Sequence, residues 1–87
     1  MNDEEFRKNY EKKLKKFGYK FDGYSENEKY TAINYRNKKK DTLLIIAIDK
    51  ENKETIAELL FFDGPEKKAE YDLTIDELFK FLENEPD

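Results

Sequence analysis

The chain has 87 residues, 44% of them charged, and a net charge of −4. That length holds one hydrophobic core and not two, and a chain without cysteine has no disulfide framework, thiolate metal site or thiol redox motif. It also lacks histidine, which removes the commonest acid–base group and every imidazole ligand.

Charge is unevenly spread. Residues 1–40 carry 12 Lys and Arg against 7 Asp and Glu, whereas residues 41–87 carry 5 against 14. Lys outnumbers Arg 15 to 2, and Asn, Ile, Tyr and Phe are common while Gly and Pro are scarce. Such usage points to an AT-rich genome, for example a low-GC bacterium or its phages, with an engineered sequence as the alternative. The opening Asn2-Asp3-Glu4-Glu5 is no secretory signal, and the longest apolar run, residues 43–48, is far short of a bilayer span. The expectation is a soluble, cytoplasmic protein with no membrane contact.

Residues 4–17 read as a helix, because Phe6, Tyr10, Leu14 and Phe17 recur at helical spacing. Asn2 is its expected N-cap and Gly18 its C′ glycine. Residues 19–24 and 29–37 alternate and are rich in aromatics, which predicts two strands about a turn at 25–28. Residues 42–48 are β-branched and apolar throughout, the pattern of a central strand. A polar turn at 49–54 leads to a fourth strand over 55–62, with a helix there as the weaker alternative. Asp63-Gly64-Pro65 then stops whichever element precedes it. In the last helix Thr74 and Glu77 form a capping box, Ile75, Leu78, Phe79 and Leu82 make the buried stripe, and Pro86 follows the end. The predicted class is α+β, a single domain over residues 1–87 with a four-stranded antiparallel meander between two terminal helices (α-β-β-β-β-α).

Counting side chains across such a meander groups Tyr19, Phe21, Tyr30 and Ala32 with Leu44, Ile46, Ile48, Ala57, Leu59 and Phe61 as the core face. The opposite face receives Tyr24, Ile33, Tyr35, Leu43, Ile45, Ala47, Ile56, Leu60 and Phe62, diluted by Lys20, Asp22, Lys29, Thr31 and Glu58 but still too apolar for a solvated face, above all on the third and fourth strands. Four strands span about 19 Å, which two helices of about 10 Å diameter cover once. If both narrow-striped helices lie on the core face, the other face keeps an apolar patch of several hundred Å² that is suited to a partner. One helix per face is the competing arrangement.

Little points to catalysis. Glycines 18, 23 and 64 are isolated, so no phosphate-cradling loop is present. Glu-x-Lys triplets at Glu11/Lys13, Glu51/Lys53 and Glu66/Lys68 suit a metal-dependent nuclease only on a strand, and they fall on a helix and in turns. Asp49, Glu51, Asn52 and Glu54 crowd one turn, with Lys50 and Lys53 opposing a cation. No catalytic residue, cofactor, metal or small-molecule substrate is assigned, and the chain is not expected to be an enzyme.

Two binding readings remain. In the first, Tyr35, Ile45 and Leu60 anchor a protein partner, or a second copy, on the exposed sheet face. Acidic Asp63, Glu66, Glu70, Asp72, Asp76 and Glu77 meet a basic groove on that partner and imitate a phosphate backbone. In the second, Lys12, Lys13, Lys15, Lys16 and Lys20 with Lys38, Lys39 and Lys40 form a basic rim, with Tyr19, Tyr24 and Tyr35 stacking on nucleic acid. The element order resembles, in topology, a double-stranded-RNA-binding domain, but the last helix opens Thr74-Ile75-Asp76-Glu77 where that family carries lysines. Size, acidic second half and AT-rich style are similar to phage-encoded inhibitors of bacterial defence, such as anti-CRISPR proteins, and to immunity or antitoxin proteins. The first reading is the expectation.

Overall fold

The computed structural model describes residues 1–85; Pro86, read above as following the last helix, lies outside them. Helix α1 (Asp3–Lys16) leads into strands β1 (Lys20–Glu26), β2 (Tyr30–Asn37), β3 (Thr42–Asp49), β4 (Thr55–Asp63) and β5 (Glu66–Leu73), and α2 (Ile75–Asn84) closes the chain. All five strands pair antiparallel in sequence order, one open meander. No helix among the described residues is long and apolar enough to cross a membrane.

The α+β class is as expected, with one strand more. β5 was missed because Gly64 and Pro65 read as a stop and five of its eight residues are charged. Asp63 and Glu66 instead pair across a tight hairpin, so the Gly-Pro pair turns the chain without ending the sheet.

Local signals account for the helix ends. The Asn2 side chain accepts from Glu5 N at 2.8 Å. At the far end Gly18 N reaches Lys15 O and Tyr19 N reaches Leu14 O, both at 3.0 Å, which is the Schellman pattern. Gly18 sits at φ 93°, and a Cβ there would lie 2.9 Å from Asn37 Nδ2, so both conformation and space demand glycine. In α2 the Thr74 hydroxyl accepts from Glu77 N at 3.1 Å while the Glu77 carboxylate accepts from Thr74 N at 2.9 Å.

Both helices lie on the same side of the sheet, α1 over β1 and β2, α2 over β4 and β5. They run in the same direction: Tyr10 stacks on Phe79 with centroids 5.4 Å apart, and three residues on Lys13 Nζ sits 3.3 Å from the Glu83 carboxylate. Both begin near the β3–β4 turn, where the N-terminal ammonium donates to Lys53 O, and both end near the β2–β3 turn.

Between helices and sheet lies the core of Phe6, Leu14, Tyr19, Leu78, Phe79 and Leu82 packed on Ile33, Tyr35, Leu44, Ile46, Ile48, Ala57 and Leu59. This corrects the counted faces of β2. Ile33 pairs with Ile46 and Tyr35 with Leu44, so Ile33 and Tyr35 face the helices, while Ala32 pairs with Ala47 on the other side with Tyr30. The β2–β3 turn is an even-numbered loop, Lys38 to Asp41, and the count had slipped by one residue there. A one-residue slip exchanges every side chain between faces.

Candidate functional site

The sheet side away from the helices is built by alternation. On β3 it presents Leu43, Ile45 and Ala47; on β4, Ile56, Glu58, Leu60 and Phe62. Across the ladder Leu43 faces Leu60, Ile45 faces Glu58 and Ala47 faces Ile56, which makes a continuous apolar stripe with a single carboxylate set into it. Within it Leu60 is shielded by its neighbours to 9% exposure, whereas Ile56 keeps 43%. The stripe's most accessible anchor is therefore Ile56, which sequence reasoning placed on this face without singling it out. The alternation Ile56-Glu58-Leu60-Phe62 is the signal that carries it.

Polar flanks border the stripe. Toward β5, Leu60 pairs with Glu70 and Glu58 with Asp72, so three carboxylates cluster beside it. Lys67 Nζ reaches Glu70 at 3.3 Å. Burial, and then the nearby Asp72 and Glu70, push the Glu58 carboxyl up from its ordinary value. Toward β1, the row holding Leu43 continues to Arg36 and Lys20, and Arg36 pairs with Asp22 at 3.4 Å. One surface thus carries an apolar centre, an acidic side and a basic side.

The residues expected to act together divide. Ile45 and Leu60 lie on the open face, with Glu70 and Asp72 beside them. Asp63 and Glu66 sit exposed at the β4–β5 hairpin, and Asp76 is exposed in the first turn of α2. Glu77 is engaged in its capping box, which holds its carboxyl below the ordinary value. Tyr35 was placed wrongly. It is fully buried under α1, where its hydroxyl donates to Glu11 Oε1 at 3.0 Å. Arg7 grips the same carboxylate at 2.7 and 3.1 Å, donates to Tyr24 Oη at 2.8 Å and covers the Phe21 ring at 3.9 Å. Burial alone would raise the Glu11 carboxyl; Arg7 and Tyr35 together bring it below the ordinary value. This network straps α1 to the β1 edge.

The basic alternative loses two of its three stacking platforms and keeps Tyr24, which is 49% exposed with its hydroxyl accepting from Arg7. Tyr35 is buried, and so is Tyr19, whose hydroxyl is pushed up to about 12 chiefly by burial and has no hydrogen-bond partner among the described residues. Beside it the Thr42 hydroxyl donates to Lys40 O. Lys16, Lys20, Arg36, Lys38, Lys39 and Lys40 do line one cleft of about 770 Å³ at the ends of the helices, together with Asp22, Glu83 and Glu85. Arg36 pairs with Asp22 and Lys40 with Glu85, and Glu83 pairs with Lys13 from α1. At the β3–β4 turn the Asp49 carboxylate accepts from Glu51 N and Asn52 N, organising the loop with its own oxygen.

No family model, curated protein or solved structure matches the chain. Its own side chains carry the functional reading.

Proposed function

We propose that this is a non-enzymatic binding protein that occupies a surface of another protein through the open face of its sheet, in the manner of a small inhibitor. One observation supports it above the others: both helices pack on the same side, so among the described residues no helix covers the stripe of Leu43, Ile45, Ile56, Leu60 and Phe62, in which Ile56 is the most accessible and Leu60 is shielded by its neighbours. A sheet with one wet face is ordinarily polar there, and a contiguous apolar patch of this kind marks an interaction site.

The flanks define the partner's chemistry. Glu58, Glu70 and Asp72 next to the stripe, with Asp63 and Glu66 at the hairpin, call for a protein whose apolar ridge is bordered by Lys or Arg. Such a target is one whose own ligand is anionic, and the carboxylates compete for that site and steer the approach. Ile56 and Ile45 supply the desolvated contact, and the acidic flank supplies rate and selectivity.

A photo-reactive benzoylphenylalanine at position 56, compared with one at Lys12 on the outer face of α1, tests the proposal. The expected adduct forms only from position 56, and its partner then binds Ile56→Asp and Glu70→Lys about tenfold or more weakly, with the urea midpoints of both variants near that of the parent. Adducts joining two copies of the chain, or forming only from position 12, overturn the reading.

A further inference from the structure

The two borders of the sheet differ. Along β1 the ladder breaks between Phe21 and Tyr24, where Gly23 takes φ 104°. A bulge of this kind twists an edge away from further pairing. Along β5 the irregularity is confined to the partner of Phe61 and Phe62, and Ala69 to Leu73 keep an unbroken register with β4. That run pairs on one side only, so its outward N–H and C=O groups form a regular row of donors and acceptors.

A groove opens at the Leu73 end of this row. It has a volume of about 510 Å³, with Leu73 of β5 and the flank of α2 made by Glu77, Lys80, Phe81 and Asn84 as its walls. Tyr71, 46% exposed, stands at its side with its ring 6.0 Å from Phe81. Phe61 lies about equally close to both rings, at 6.0 and 6.1 Å, so the aromatic wall is packed from behind. Alternation then divides the strand. Ala69, Tyr71 and Leu73 point to the groove side, and Glu70 and Asp72 to the open-face side.

An extended segment laid along β5 would meet these two sets in turn. Its residues on the groove side would lie against Tyr71 and Leu73 beside Phe81, and those between would pass beside two carboxylates. We propose that β5 and the flank of α2 form a docking groove for an extended peptide segment in which apolar residues alternate with lysine or arginine, added to the sheet as a sixth strand. Main-chain hydrogen bonds give such a complex its affinity and the alternating side chains its selectivity. The charges on β5 deter indiscriminate pairing with neutral strands and favour the cationic ones. This surface shares Glu70 and Asp72 with the acidic flank of the open face, but the backbone row, Tyr71 and the flank of α2 take no part in that reading, and the proposal stands or falls without it.

The test titrates isotope-labelled full-length protein with an end-blocked peptide of sequence Lys-Val-Lys-Phe-Lys-Val-Lys. Three comparisons accompany it: a peptide of the same composition with its apolar residues contiguous, the alternating peptide N-methylated on every second amide, and the Ile45→Ser/Ile56→Ser variant of the protein. The expected result is chemical-shift change confined to β5 and α2, loss of binding on N-methylation, at least about tenfold weaker binding of the contiguous peptide and of the Tyr71→Ser and Asp72→Lys proteins, and unchanged binding to Ile45→Ser/Ile56→Ser. Equal binding of the contiguous peptide reduces the effect to charge attraction and overturns the proposal. So do shifts confined to β3 and the open face, an outcome that leaves the reading of that face intact. Tyr71 is exposed, so Tyr71→Ser keeps the fold, and its urea midpoint verifies this.

Discussion

Ile45 and Ile46 are chemically identical neighbours on one strand, and they belong to different regions of the molecule. Ile46 is fully buried beneath the helices, packed among Ile33, Ala57 and the α2 stripe. Ile45 faces the other way, between Asn34 and Glu58, and is only half-buried. The strand treats both alike in backbone and propensity; the helices alone separate them. Apolar side chains on one face therefore hold the fold together, while on the other Ile45 and Ile56 stay partly exposed.

The comparison breaks most directly at these two positions. Ile46→Ala is expected to cost about 2–5 kcal/mol, the range for a buried aliphatic truncated into a cavity, and Ile45→Ala less than about 1 kcal/mol; urea denaturation of the two variants measures the gap. Equal costs would mean that the open face is covered in solution. Next in size is Tyr35→Phe, which keeps the ring but removes the donor to Glu11, with an expected loss of about 1 kcal/mol. The same substitution at Tyr19 should go the other way. Its hydroxyl is buried without a hydrogen-bond partner among the described residues, so Tyr19→Phe is expected to leave the melting temperature unchanged or raise it by a few degrees.

The smallest effect separates the faces by pH. Glu58 on the open face titrates above its ordinary value of 4.5 and Glu11 under the helix below it. The folded state thus disfavours the Glu58 carboxylate, and protonating it relieves that cost as pH falls from neutrality through the raised value. Glu11 behaves oppositely: its contribution is complete above 4.5 and is lost as pH falls through its depressed value. The urea midpoint should therefore peak at mildly acid pH. Glu58→Gln should gain about 0.5 kcal/mol or less at neutrality and flatten the rise toward that peak, leaving the acid-side fall in place.

Much of this was legible from residue spacing. The α1 stripe, the Asn2 cap, the Thr74–Glu77 box and the β-branched run of β3 each follow a short-range rule, and each element is where those rules put it. The open face was legible in kind, since β3 and β4 alternate two apolar sets and two helices can cover only one. What escaped needed long-range information. The side on which β2 presents Tyr35 depends on how many residues the β2–β3 loop consumes, and a single residue decided between anchor and core. β5 escaped because its partner, not its composition, makes it a strand: Glu and Lys are poor strand formers, held there by the ladder to β4.

That fifth strand has a further effect, set by parity. In an up-and-down meander each strand reverses the chain, so an odd number returns it to the end from which α1 set out, and α2 must descend alongside α1 in the same sense. Four strands would have delivered the second helix head to tail, with the two dipoles opposed. With five they add, and the unsatisfied carbonyls of both helices gather at one pole of the molecule. Lys13, Lys15 and Lys16 stand at that pole from within α1, whereas α2, which has no basic residue in its own last turn, brings Glu83 and Glu85 to it, and these are neutralised by Lys13 and Lys40. Part of the lysine surplus of the first forty residues thus answers the negative end of an electrical axis that the count of strands imposes, Lys15 and Lys16 directly and Lys13 and Lys40 by neutralising the glutamates gathered there.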